Sequence, residues 1–134
     1  MATSKITYLG DLRTTSTHLQ SGTEILSDAP VDNHGKGQAF SPTDLLANAL
    51  GSCMITVMAI KANEMGIELK GTTAEVTKIM QAEPRRIKRL EVTLNIPVAA
   101  TDKDKTILER VGRTCPVYLS LHPDVEKEII FNWL

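Results

Sequence analysis

Short alternations of hydrophobic and polar residues fill the first 28 positions of the chain. The segments KITYL, STHLQ and TEILS each alternate, and the dipeptide SG at 21–22 is a turn signal between the last two. This pattern predicts three short strands in a β-meander. The segment that follows, DAPVDNHGKGQAF, is rich in Gly, Pro, Asn and Asp and predicts a long loop. Loops of that length inside a compact domain are often functional.

A helical pattern starts at residue 41. Ser41 suits the N-cap, Pro42 the first helical position and Asp44 the third, where a carboxylate can reach back to the cap. No helix breaker occurs before Gly66, which predicts a helix of about 24 residues and about 36 Å. Its apolar residues occupy most of the circumference, so we expect burial on most sides, with part of the packing surface supplied by a second subunit.

The second half of the chain predicts two more strands, two shorter helices and a final strand. TTAEVTKIM and RLEVTLNI alternate, and EKEIIFNWL ends the chain as a strand. Thr101 and Asp104 form a capping pair for a helix over 102–113. Cys115 is expected at or next to the N-cap of the next short helix, with Pro116 at its first helical position. The sequence therefore predicts one α+β domain over residues 1–134, in the order β-β-β-α-β-β-α-α-β.

Composition limits the possible functions. The 134 residues are 42% hydrophobic and 23% charged, which suits a domain that folds without metal or disulfide staples. The net charge of −1 and the 4% aromatic content argue against nucleic acid and an anionic membrane as partners. No export signal and no apolar run of transmembrane length is evident, so we expect a cytoplasmic protein with reduced cysteines.

The two cysteines are the main candidates for chemistry. Cys115 is expected at a helix N-terminus, where free N–H groups and the helix dipole lower a thiol pKa. Cys53 is expected about three turns into its helix, so it would need a cation from elsewhere in the fold. The competing interpretations are a structural core thiol for Cys53 and a simple capping residue for Cys115.

The three histidines do not complete a recognisable site. His18, His34 and His122 match no metal-ligand spacing with the cysteines and no hydrolytic triad pattern. We therefore expect no metal. His34, in the long loop, is the one histidine that could serve as a base if Cys53 were the nucleophile of a hydrolase or acyl-transfer enzyme.

The motif SPTDLLANALGSC, followed much later by TCPV, resembles the OsmC/Ohr family of osmotically inducible and organic hydroperoxide resistance proteins. The predicted element order and the segments GDLR and SG of the N-terminal hairpin extend the resemblance over nearly the whole chain. The resemblance implies an OsmC-like fold, with long central helices packed together in an intertwined homodimer whose sheets are shared between subunits.

The resemblance also implies a thiol peroxidase that reduces organic hydroperoxides. Cys53 corresponds to the peroxidatic residue, which becomes a sulfenic acid, and Cys115 to the resolving residue, which forms a disulfide with it. No cofactor is expected to be bound. An external dithiol of the lipoyl or thioredoxin type would restore both thiols.

Two further residues are candidates for this site. Arg13, in the predicted hairpin of one or the other subunit, could supply the cation that Cys53 needs, because a guanidinium can contact thiolate and peroxide together. The organic hydroperoxide resistance branch has a glutamate at the position that Thr43 holds here. Asp44, one residue later, could replace this glutamate or could only cap the helix, and Arg13 could instead be a solvent-facing hairpin residue.

A second function remains open on the sequence alone. The same fold could form a non-catalytic dimer that binds a small apolar ligand in the cleft between subunits, with both cysteines as packing residues. Thiol reactivity separates this hypothesis from the peroxidase.

Overall fold

The computed structural model describes residues 1–134 and has the predicted α+β composition. The predicted order of strands and helices is confirmed, with one additional 3-10 turn, Val31–Asn33, inside the long loop. The elements are β1 (Ser4–Gly10), β2 (Arg13–His18), β3 (Glu24–Asp28), α1 (Pro42–Glu64), β4 (Thr73–Ala82), β5 (Arg85–Ile96), α2 (Asp102–Gly112), α3 (Pro116–Ser120) and β6 (Glu126–Trp133).

The chain forms two compact units, Met1–Leu46 and Ala47–Leu134. The first unit contains an antiparallel meander in the order β1-β2-β3. This sheet and its connecting turns leave a series of large apolar side chains exposed within the chain. They are Ile6, Tyr8, Leu9, Leu12, Leu19, Ile25 and Leu26. Apolar surface of this extent on a three-stranded sheet is typical of an interaction face.

The second unit contains a sheet in the order β4-β5-β6, with β4 antiparallel and β6 parallel to β5. Since β5 is the central strand, alternate residues along it point into the core; its buried residues are Ile87, Leu90, Val92, Leu94 and Ile96. The parallel pairing of β5 with β6 requires a crossover, and α2 and α3 provide it.

One face of α1 packs into the core of the second unit. The buried positions recur at helical spacing and are Ala47, Leu50, Gly51, Met54, Met58 and Ala62. Leu46 and Ile60 are exposed, so the expectation of burial on most sides is not met within a single chain. Ile55, Val57 and Ala59 are partly buried against the core, which leaves Leu46 and Ile60 as the exposed large apolar residues of α1.

Helix α1 also meets the length and composition of a membrane span. Its 23 residues include an 18-residue window with a mean hydropathy of 1.6, so the expectation that no apolar run reaches that length is wrong. The core helix of a soluble protein meets the same two criteria, and 33% of that window is buried inside the chain.

The predicted helix caps are present. The backbone N–H of Asp44 donates to Ser41 Oγ at 3.0 Å, and the backbone N–H of Ser41 donates to Asp44 Oδ2 at 3.0 Å. This reciprocal pair is a capping box. Thr101 caps α2 by accepting the backbone N–H of Asp104 at 3.1 Å, as predicted.

Candidate functional site

The two cysteines meet in the second unit, although they are far apart in sequence. Cys53 lies in the middle of α1 and is half-buried, whereas Cys115 precedes α3 and is only 1% exposed. Both are free thiols, and they lie near enough to each other for Cys53 to raise the pKa of the Cys115 thiol. The fold therefore places a partly accessible thiol next to a buried one.

Cys115 occupies the N-cap of α3, and the backbone N–H of Tyr118 donates to its Sγ at 3.3 Å. Burial nevertheless raises the pKa of the Cys115 thiol, and the neighbouring Cys53 raises it further. The N–H groups of Tyr118 and Val117 oppose these effects but are outweighed. The expectation of a lowered Cys115 pKa is thus wrong, because desolvation of a thiolate exceeds the gain from a short helix N-terminus.

Close packing of α2 on α1 helps bring Cys115 to its position. A Cβ added to Gly112 would lie 2.9 Å from Met58 Sδ and 3.6 Å from Met54 Cε, so glycine permits this approach. The backbone N–H of Cys115 then donates to Gly112 O at 3.4 Å. The end of α2 is therefore anchored against the same helix that carries Cys53.

Arg13 begins β2 in the first unit, directly opposite Asp28 of β3. Its Nη2 donates a hydrogen bond to Gln38 Oε1 at 2.6 Å and lies 3.5 Å from Asp28 Oδ2. The Asp28 side chain is fully buried, whereas that of Arg13 is 33% exposed. An acid partner for Arg13 is therefore Asp28, which the sequence analysis did not single out.

The ionised form of Asp28 is favoured by its surroundings. The backbone N–H of Gln38 donates to Oδ2 at 2.9 Å and is the largest cause that lowers the Asp28 pKa; burial opposes it, and Arg13 adds to the lowering. The signal that could have identified Asp28 is its place opposite Arg13 in a meander. The strand register that creates this opposition cannot be read from alternation alone.

Asp44 has a local role in the first unit, where it completes the capping box of α1 with Ser41. Arg13, Asp28 and Asp44 all belong to the first unit, and both cysteines belong to the second. The structure thus brings the two cysteines together, and it brings Arg13 together with Asp28.

None of the three histidines forms a hydrogen bond or ion pair with Cys53, Cys115 or Arg13. His18 bonds Ser21 Oγ, His34 lies in the long loop with a left-handed φ of 70°, and His122 accepts the backbone N–H of Asp124. No group of three or more His, Cys, Asp or Glu side chains is arranged to hold a metal ion.

Comparison with known proteins identifies the family. A family model described as OsmC-like protein matches residues 35–129. The chain belongs to the OsmC-like family. The matched region includes both cysteines and Asp44, while Arg13 and Asp28 lie before it. A comparison with curated proteins finds no match.

Solved structures of OsmC-like proteins share the fold. A proposed osmotic stress induced and detoxification response protein from Psychrobacter arcticus 273-4 is 53% identical, with a TM-score of 0.95 and coverage of 98% of this chain and 96% of that chain. An OsmC-like protein from Mycoplasma pneumoniae is 15% identical, with a TM-score of 0.81 and coverage of 98% of this chain and 95% of that chain. An organic hydroperoxide resistance protein OsmC from Legionella pneumophila is 17% identical, with a TM-score of 0.72 and coverage of 98% of both chains.

Proposed function

We propose that this OsmC-like protein is a thiol-dependent peroxidase that reduces organic hydroperoxides, and hydrogen peroxide as a second substrate, in defence against oxidative stress. The observation that carries the proposal is a half-buried Cys53 that neighbours a buried Cys115, whose raised pKa keeps it protonated. Family membership and the organic hydroperoxide resistance protein among the structural neighbours support the substrate class.

In the first step, the Cys53 thiolate attacks one oxygen of the hydroperoxide and the O–O bond breaks. Cys53 is oxidised to a sulfenic acid, and the departing alkoxide takes up a proton to leave as an alcohol. Cys53 suits the attacking role because it is the more accessible of the two thiols. A cation beside the sulfur would stabilise both the thiolate and the negative charge that develops on the leaving oxygen.

In the second step, the sulfur of Cys115 attacks the sulfur of the Cys53 sulfenic acid. A disulfide forms, and the Cys115 proton leaves with the hydroxyl group as water. Cys115 suits this role because its raised pKa keeps it a thiol, protected from peroxide until Cys53 is oxidised. An external dithiol of the lipoyl or thioredoxin type then reduces the disulfide by exchange and is itself oxidised.

The proposed active form is a cytoplasmic homodimer in which Arg13 supplies the cation to a Cys53 thiolate. The support for a dimer is the exposed apolar surface of the β1-β2-β3 sheet and of α1, which this chain's own packing does not cover. The support for Arg13 is that part of its guanidinium stays exposed while Asp28 and Gln38 contact the rest.

Rapid-mixing kinetics with cumene hydroperoxide and hydrogen peroxide test the proposal. Wild type should lose two thiols per equivalent of peroxide, and either dihydrolipoamide or thioredoxin should restore them. Cys53→Ser should consume no peroxide, whereas Cys115→Ser should complete one turnover and accumulate a sulfenic acid that dimedone traps. Ser52→Ala, an exposed neighbour on α1, is the matched control and should react as wild type does. Undiminished turnover by Cys53→Ser would refute the proposal.

The competing function is a non-catalytic dimer that binds a small apolar ligand. The exposed apolar residues of the first unit favour it, because they could line a cleft as well as an interface. In that case Cys53 would react with iodoacetamide only at the rate of an ordinary thiol, and peroxide would leave both thiols intact.

A further inference from the structure

Arg13 is held by two groups that lie close together in space within the first unit. Its Nη2 lies 3.5 Å from Asp28 Oδ2 and donates to Gln38 Oε1 at 2.6 Å. Gln38 also donates its backbone N–H to Asp28 Oδ2 at 2.9 Å. The three residues therefore form a closed triangle of contacts, and we call Asp28 and Gln38 together the Arg13 clamp.

The clamp depends on charge as well as on shape. Asp28 is fully buried, and its Oδ1 accepts no hydrogen bond from any residue of the chain. A buried carboxylate is costly unless a cation balances its charge, and within this ion pair the cation is Arg13. The carboxylate thus ties the guanidinium to one position, which a neutral side chain would do much less strongly.

Backbone hydrogen bonds of the long loop place Gln38 next to Arg13. The N–H of Asp28 donates to Phe40 O at 3.0 Å, and the N–H of Gly37 donates to Ala29 O at 3.2 Å, so the loop folds back on the end of β3. Gly35 makes this fold possible, since a Cβ there would lie 1.7 Å from Ala29 O. The loop therefore has a defined conformation at the point where Gln38 meets Arg13.

A guanidinium has five N–H donors, and the clamp engages only one end of it. The Arg13 side chain remains 33% exposed. The remaining N–H groups are thus free to bind an anion while the clamp fixes their direction.

From this geometry we infer that Asp28 and Gln38 are positioning residues for the peroxidase reaction, which orient Arg13 toward the thiolate and the departing oxygen. The inference rests on the proposed function for its chemistry, because Arg13 must act on Cys53 for its orientation to matter. Neither clamp residue is expected to touch the peroxide.

A double-mutant cycle tests the inference. Asp28→Asn keeps the shape of the side chain and removes its charge, and we expect kcat/KM for cumene hydroperoxide to fall by about 10- to 100-fold, the effect of a misplaced catalytic group. In an Arg13→Ala background the same change should cost nothing further, because its effect acts through Arg13. Gln38→Ala, at an exposed position, should cause a smaller loss and serves as the second variant if Asp28→Asn does not fold.

Glu24→Gln is the matched control, since Glu24 is an exposed acid on the same strand, and it should leave kcat/KM unchanged. Equal losses from Asp28→Asn in the wild-type and Arg13→Ala backgrounds would overturn the inference. So would wild-type kinetics in both Asp28→Asn and Gln38→Ala.

A second measurement separates failure of the inference from failure of the proposed function. Nitrogen-15 NMR of the arginine side chains reports rotation of the Arg13 guanidinium whether or not the protein reduces peroxide. Slow rotation in wild type and fast rotation in Asp28→Asn support the clamp, and fast rotation in wild type contradicts it. A wild-type protein with slow rotation and no peroxide consumption would retain the clamp and refute the peroxidase.

Discussion

Cys53 lies near enough to Cys115 to raise the pKa of its thiol, and the two residues differ in exposure. Cys115 is buried with a raised pKa, while Cys53 is half-buried and reachable. This asymmetry divides the proposed chemistry between them, because the accessible sulfur can meet a peroxide and the buried sulfur stays protonated until its neighbour is oxidised. Two cysteines of equal exposure would compete for the same oxidant.

The raised pKa of Cys115 predicts a loss of stability in alkali for the reduced protein. The folded state holds the proton more tightly than the unfolded state, whose thiol titrates near the ordinary value of 9.0. The protonated Cys115 thiol therefore contributes fully to the stability of the folded state below about pH 9. This contribution declines as pH rises through the raised pKa. Urea unfolding under reducing conditions between pH 7 and 10.5 should show the decline in wild type and a shallower one in Cys115→Ala. If the free energy of unfolding fell equally with pH in wild type and Cys115→Ala, a raised pKa of Cys115 would be contradicted.

The lowered pKa of Asp28 predicts the opposite behaviour in acid. Its unfolded carboxyl titrates near 3.8 and its folded carboxyl below that value, so the contribution to stability is present above about pH 4 and is lost as pH falls through the lowered pKa. The free energy of unfolding of Asp28→Asn should depend less on pH between 5 and 2 than that of wild type. Glu24→Gln is the control and should keep the wild-type pH dependence. If the free energy of unfolding of Asp28→Asn changed with pH as much as that of wild type, the prediction would be wrong.

The contact between Gly51 and Val76 predicts a coupled pair of substitutions. A Cβ added to Gly51 would lie 2.8 Å from Val76 Cγ2, so α1 packs on β4 without room for a methyl group. Gly51→Ala gains about 1 kcal/mol of helix propensity but overpacks the contact, which typically costs about 1–3 kcal/mol. We therefore expect a net destabilisation of about 1 kcal/mol from these two magnitudes.

In a Val76→Ala background the crowding is relieved, and Gly51→Ala should then stabilise the protein by about 0.5–1 kcal/mol. Urea unfolding of all four proteins measures the coupling between the two sites. Additive effects of the two substitutions would show that α1 and β4 are not in close contact.

The exposed apolar sheet predicts a dimer in solution. Analytical ultracentrifugation should give about twice the 14.7 kDa mass of the chain. Ile6→Glu and Ile25→Glu place a charge on the β1-β2-β3 sheet and should shift the protein toward monomer. Leu134→Glu makes the same change at an exposed apolar residue of the second unit and should leave the dimer intact. A monomeric wild type at 100 μM would rule out the homodimer.

Local patterns in the sequence were enough to predict the elements and their caps. Alternation predicted the strands, and Ser41, Pro42 and Asp44 predicted the start of α1, because capping acts between residues three positions apart. The motif around Cys53 and the later Cys-Pro are enough to indicate the OsmC-like family, which the family model confirms.

The tertiary structure decided the features that depend on distant neighbours. Alternation does not specify which residue of β3 faces Arg13, and only the strand register identifies Asp28 as its partner. The helix N-terminus suggested a low pKa for Cys115, but burial reversed the direction. Periodicity and capping are interactions along the chain, whereas desolvation and cross-strand pairing depend on which segments fold against each other.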